Sequence, residues 1–303
     1  MQSTAESIVR PVAPQQNPWI ATMPWFFVLI WSTGFIVAKF GLPYAPPLTF
    51  LLLRFAGVIC ILGPLAWAMK APWPAGRIRH IALAGVLLQA GYLGGVWCAI
   101  KLGMPAGISA LIVGMQPILT AFAAPLIGES LRPRQWLGLL IGLCGVALVV
   151  SNKMHLNGLS PASLALCLLA LISITAGTLY QKRYCAHFDL RTGTLIQFVA
   201  STVVVLPLAV AFEQLDPTLS QVSWNPRFIF ALSWSVLALS IGAIFLLFAL
   251  IRKSAATKVT SLLYLTPPTT AVMAWLAFGE TLGIGGIIGM MAAVTGVVFV
   301  VRR

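Results

Sequence analysis

The sequence predicts an all-α integral membrane protein: ten transmembrane helices as two inverted five-helix repeats, with both termini cytoplasmic. Three observations carry this expectation. Hydrophobic residues make up 59% of the 303 and charged residues only 8%, too few charges to cover a water-facing surface of ordinary size. Ten apolar stretches, each close to the ~20 residues that cross a bilayer, follow one another with short polar turns between them. The second five also repeat the first.

In chain order the spans are 18–39, 47–69, 79–101, 105–127, 133–151, 161–182, 191–212, 227–252, 255–278 and 283–301, with ends uncertain by about 2–4 residues. Residues 1–17 are polar and proline-bearing and read as a mobile cytoplasmic tail, with no cleavable signal. Breakers mark the turns: Pro43 to Pro47 before span 2, Pro72-Trp73-Pro74 before span 3, and Asn157-Gly158-Leu159-Ser160-Pro161 between the halves. The longest loop, Glu213 to Asn225, precedes span 8.

The two halves are 18–151 and 161–301. At an offset of 151, Gln116-Pro117 and Gly128-Glu129 align with Pro267-Pro268 and Gly279-Glu280, Gly138 with Gly289, and Gly145-Val146 with Gly296-Val297. For the first two spans of each half the offset is 143: Gly34 aligns with Gly177, Lys39 with Lys182, Thr49 with Thr192, and Phe55 with Phe198. The loop at 213–225 absorbs the eight-residue difference. Five is odd, so the second half enters the membrane from the opposite side, the arrangement that permits alternating access. A proline in mid-span removes a helical hydrogen bond, so Pro117, Pro267 and Pro268 are expected to bend spans 4 and 9.

Charge sets the orientation. With the amino terminus inside, fourteen Lys and Arg residues, among them Lys70, Arg77, Arg134, Lys182 and Arg191, fall on the inner side. Lys39, Lys101, Lys153 and Arg227 fall outside, and Arg54 lies within span 2. That asymmetry is the positive-inside pattern. The net charge of +13 therefore speaks for topology and a lipid bilayer, and no aromatic-interleaved basic patch suggests nucleic acid. Five unclustered cysteines indicate neither a disulfide framework nor a metal site. No nucleophile constellation or phosphate loop appears, so no enzyme and no cofactor is expected. Oligomeric state leaves no mark in the sequence.

Together Trp31-Ser32-Thr33-Gly34 with Lys39, the Pro47-Leu48-Thr49-Phe50 to Arg54-Phe55 run and the twin proline and Gly-Glu blocks resemble the drug/metabolite transporter superfamily, in its ten-helix EamA-type exporter branch. The likeness covers about residues 18–301 and, within that branch, is greatest to aromatic amino acid exporters. It implies export of small metabolites across a bacterial inner membrane by a multi-pass protein, through a central cavity lined mainly by helices 1, 3, 4, 6, 8 and 9. Aromatic or other large neutral amino acids are the expected substrates. The alternatives are a broad-range metabolite or drug exporter and a non-transporting membrane scaffold.

Span midpoints hold the candidate substrate-binding groups: Trp31, Ser32, Gln89, Tyr92, Gln116, Ser173, Ser240 and Tyr264. Gln89 and Tyr92 share one helical face, and rings there offer stacking surfaces; the same hydroxyls also serve as glue between helices. No carboxylate falls at mid-membrane depth, which argues against proton-coupled export of cations. Arg54, about seven residues into span 2 and ~10 Å deep, either attracts a substrate carboxylate, pins helix 2, snorkels outward, or bonds a carbonyl. Lys39 with Glu280 outside and Lys182 with Glu129 inside are candidate gating pairs related by the repeat, or ordinary turn and topology charges.

Overall fold

A computed structural model describes residues 18–123, 133–157, 159–185, 188–243, 246, 265–281 and 283–301, and every regular element among them is helical. The helices are α1 (Pro18–Gly41), α2 (Pro47–Ala68), α3 (Ile78–Gly85), α4 (Tyr92–Lys101), α5 (Ala106–Val113), α6 (Gln116–Phe122), α7 (Pro133–Asn157), α8 (Pro161–Tyr184), α9 (Leu190–Glu213), α10 (Pro226–Trp234), α11 (Thr266–Phe278) and α12 (Ile284–Val301). A π-helical segment, Val86–Gly91, joins α3 to α4, and a second, Ser235–Gly242, extends α10. Among the described residues five helices are long and apolar enough to cross a membrane, at 22–41, 47–68, 78–101, 161–184 and 190–213. Their outer faces carry large apolar side chains such as Trp67, Val203 and Phe212, tolerable in lipid and costly in water.

Capping residues written in the sequence start these helices. Ser160 accepts from the Ser163 amide at 3.1 Å and Asn225 from the Phe228 amide at 2.9 Å, each with proline at the next position, where the missing N–H costs nothing. Asp189 caps α9 through the Arg191 amide at 2.9 Å, and the Arg191 guanidinium holds its carboxyl below the usual carboxylate range. The α2 start has no such neighbour in sequence. Glu213, at the end of α9, supplies it by accepting from the Leu48 and Thr49 amides at 2.7 and 2.8 Å.

Two helix pairs form the frame. Phe55 of α2 and Phe198 of α9, aligned at offset 143, meet edge-to-face with centroids 5.3 Å apart. At one end of this pair Glu213 holds the start of α2, and at the other Thr192 Oγ1 donates to the Pro72 carbonyl at 2.8 Å. The helices therefore run antiparallel. In α7 and α12 a Cβ added at Gly145 would sit 2.5 Å from the Gly289 carbonyl, and one at Gly296 would sit 2.5 Å from the Gly138 carbonyl. Position 138 aligns with 289 and 145 with 296, so these are one contact made twice, in opposite chain directions.

Span 4 is interrupted. A turn at Gly114-Met115 separates α5 from α6, immediately before Gln116-Pro117, and Thr120 Oγ1 donates to the Gln116 carbonyl at 2.8 Å. In the second half α11 begins with Pro267-Pro268 in its first turn, and Gly279, at φ 65°, ends it in the left-handed conformation. Residues 1–17, the Gly128-Glu129 turn and most of 244–264 lie outside the described residues.

Gly296→Leu should lower the melting temperature of the purified protein, by overpacking worth about 1–3 kcal/mol, whereas Gly63→Ala, where an added Cβ meets nothing within 4 Å, should leave it unchanged. Equal melting of both variants would show that the α7–α12 crossing does not need its glycines.

Candidate functional site

Beside the α2–α9 pair lies a cavity with about 1080 Å³ of space, its mouth included. Its walls come from α1, α2, the α3–α4 rod, α8, α9 and the π-helical end of α10. Most of the lining is apolar, with rings from Trp31, Phe35, Trp97, Phe188 and Phe198, and a few polar groups from Arg54, Gln89, Tyr92, Gln181, Thr194 and Gln197. That composition suits a small amphipathic ligand.

The repeat offsets explain which residues meet there. Arg54 and Gln197 align at 143, as do Trp31 and Ile174; Leu88 and Leu239 align at 151, as do Gln89 and Ser240; all eight line the cavity. Both π-helical segments reach it too, Val86–Gly91 aligning with 237–242. A π turn widens the helix and shifts its side chains out of α register. It thereby aims Gln89 and Ser240 at the same space from opposite halves.

Arg54 is buried at 6% exposure. Its Nε donates to Ser240 Oγ at 2.8 Å, and that hydroxyl in turn donates to the Ser235 carbonyl at 3.0 Å, spanning the π turn. Among the described residues the guanidinium bonds a hydroxyl and no carbonyl, and it faces the cavity instead of snorkelling along α2 to the bilayer surface, because α9 and α10 enclose α2 on this face. Across the cavity Gln197 Nε2 donates to Gln181 Oε1 at 2.8 Å.

The predicted site residues divide. Trp31, Gln89, Tyr92, Ser240 and Arg54 line the cavity. Ser32 is fully buried, its hydroxyl without a partner among the described residues and its carbonyl accepting from Thr270 Oγ1 at 3.3 Å. Ser173 packs against Gly91, and Gln116 donates to Thr178 Oγ1 at 2.9 Å; neither is part of the lining. Tyr264 lies outside the described residues. So does Glu129, leaving Lys182 described as an exposed side chain.

The other candidate pair, Lys39 and Glu280, is in contact. Lys39 Nζ donates to Glu280 Oε1 at 2.5 Å, and the same carboxylate accepts from the Ala106 and Gly107 amides at 3.2 and 3.4 Å. Glu280 thus ties the end of α1 to the N-terminus of α5, where the helix dipole favours an anion. The Gly-Glu block is more than a turn in this copy.

The lining differs from the helix list that the resemblance implied. Among the described residues spans 4 and 9 contribute nothing, while spans 2 and 7 contribute Arg54, Thr194, Gln197 and Phe198. All of α5 is buried, packed against α8 and α11, so it stands behind the wall. Gln181, Thr194 and Gln197 were not singled out in sequence. Gln197 was detectable as Arg54's partner at offset 143, whereas Gln181 and Thr194 carry no such signal.

The sequence matches the EamA-like transporter family over residues 20–151 and again over 162–302. It is 30% identical to the uncharacterized inner membrane transporter YedA of Escherichia coli K12 over 258 residues, covering 84% of this chain and 81% of that one. It is 27% identical to the uncharacterized transporter YvbV of Bacillus subtilis 168, covering 91% and 89%. A probable amino-acid metabolite efflux pump of Salmonella typhimurium LT2 is 25% identical, covering 84% and 85%. A solved protein structure superposes with a TM-score of 0.62 at 16% identity, over 94% of this chain and 96% of the other, a likeness of fold. With both halves matched and a relative at 30% identity over most of its length, the chain belongs to the EamA-like transporter family.

Proposed function

We propose that the protein is a multi-pass inner-membrane secondary transporter that exports small amphipathic metabolites, foremost aromatic or other large neutral amino acids, by alternating access. The carrying observation is the cavity itself, built from aligned residues of both halves; the Lys39–Glu280 ion pair at the end of α1, which lines a separate pocket, is the closure in this reading. Residues 18–151 and 161–301 are the two inverted repeats in this reading, and the antiparallel α2–α9 and α7–α12 contacts, each made between aligned positions, support it. Charge supports the orientation: with both termini cytoplasmic, the Lys39 end faces outward.

The lining runs from Phe35 and Trp97 to Gln181, Phe188 and Leu190 at the opposite end. The arrangement is then that of a carrier closed outside with its cavity directed to the cytoplasm, where an exporter loads. Phe278 adds a cation–π contact to Lys39, 4.8 Å from the ring centroid, and reinforces the closure. Exchange of the two halves' conformations would part Lys39 from Glu280 and bring Lys182 toward Glu129. Spans 4 and 9 would flex at Pro117 and at Pro267-Pro268. The Salmonella relative's name, amino-acid metabolite efflux pump, agrees with the substrate class.

Purified protein in liposomes should exchange labelled phenylalanine by counterflow faster than threonine. A cationic dye exchanged as fast as phenylalanine would mark a broad-range exporter, and no flux of any solute would leave a scaffold.

Lys39→Ala and Glu280→Ala should each raise the outward-facing population about fivefold, the worth of a partly buried ion pair of about 1 kcal/mol. Labelling from outside of a cysteine placed at Gly34 reads this, on a background without native cysteines. Unchanged labelling and unchanged flux in both variants would remove the gate.

A further inference from the structure

The cavity holds a cation and, among the described residues, no anion to match it. Arg54 makes one hydrogen bond there, through Nε to Ser240. Ser240 cannot turn away, because its own proton is committed to the Ser235 carbonyl. Among the described residues the guanidinium is held by one edge, and its two terminal nitrogens remain as donors.

The chain has six acids to supply a counter-ion, and four are placed elsewhere. Asp189 pairs with Arg191 at 2.7 Å, Glu280 with Lys39 at 2.5 Å, Glu213 caps α2, and Asp216 accepts from Thr218 and Ser220. All four sit at the two ends of the bundle. Glu6 and Glu129 fall in sequence outside the ten spans. An arginine buried at 6% exposure with no counter-ion among the described residues is costly, and a ligand that brings a carboxylate offsets that cost. Arginine's planar donor pair matches a carboxylate's two oxygens. The other polar groups of the lining, Gln89, Tyr92, Gln181, Thr194, Gln197 and Ser240, are neutral, so an ammonium group finds no opposite charge among them and meets the field of Arg54.

We infer that the cavity selects organic monoanions, an apolar ring-sized body bearing one carboxylate bound by Arg54, and that the α-ammonium of an amino acid is dispensable. This rests on the cavity being the substrate site. It extends the substrate class from zwitterionic amino acids to deaminated, 2-oxo or 2-hydroxy acids of the same side chains, and removes amines that lack the carboxylate. The ring has Trp31, Tyr92 and Trp97 to lie against.

Three probes that share one ring separate the charges: 3-phenylpropionate, phenylalanine and phenethylamine. Binding is measured on the full-length protein in detergent, where no flux is needed. We expect 3-phenylpropionate to bind at least as tightly as phenylalanine, and phenethylamine at least about tenfold more weakly, the factor set by exchanging a charge-assisted bond for like-charge repulsion. Arg54→Gln should abolish the preference for the acid over the amine, and Arg54→Lys, which keeps the charge and loses the fork, should retain part of it. Phenethylamine binding within threefold of 3-phenylpropionate overturns the inference, as does an Arg54→Gln protein that keeps the acid preference. If Arg54→Gln does not fold, the wild-type ranking and Arg54→Lys decide. Counterflow in liposomes is scored separately. The expected ranking without flux leaves the ligand class standing and defeats transport, whereas flux of phenethylamine matching that of the acid does the reverse.

Discussion

Within a lipid core no water is available to satisfy a backbone amide or carbonyl, so every break in a helix must be answered by another group of the protein. The described structure keeps to this rule at its ends and interruptions. Glu213 reaches from the end of α9 to the first amides of α2, and Glu280 reaches from the end of α11 to those of α5. Thr120 and Ser240 return their hydroxyl protons to carbonyls one turn or one π turn back. Where a soluble protein would spend water, this one spends its few acids, and that leaves none of the described ones for the interior.

The same scarcity gives the cavity its character. Helices pack closely in lipid through small residues rather than through a hydrophobic drive between them. Gly145, Gly289 and Gly296 at the α7–α12 crossing, and Gly85 against the Gln197 backbone, bring the two halves together without large side chains between them. Two π-helical segments then offset that closeness locally, turning Leu88, Gln89, Leu239 and Ser240 toward a common space. The space is wide enough for a ring and carries one fixed charge.

Glu280 links the end of α1 to α5. Its carboxylate serves Lys39 and two amides of α5 together, so parting the ion pair does not free it from the helix it caps. In the proposed cycle the end of α1 is the element released. Lys39 sits a turn and a half beyond Gly34, at the cavity wall, close enough for movement of one end to reach the other.

The sequence by itself determined that this chain lives in a membrane, that it is helical, and where its turns lie, because these follow from apolar run length, proline and capping residues, all local properties. Ser160-Pro161 and Asn225-Pro226 announced their helices, and the family was legible in the order of short motifs. The offsets of 143 and 151 also made aligned pairs such as Phe55 with Phe198 legible in the chain. Which pairs meet was decided only in three dimensions. Gln89 and Ser240 converge because of π turns that no composition signals. Gln116 and Ser173, equally polar and equally central, turn to neighbouring helices instead. Arg54 shows the division most clearly: its depth could be counted along the chain, but its confinement depended on α9 and α10 closing over it, and burial is a property of neighbours that a single helix does not contain.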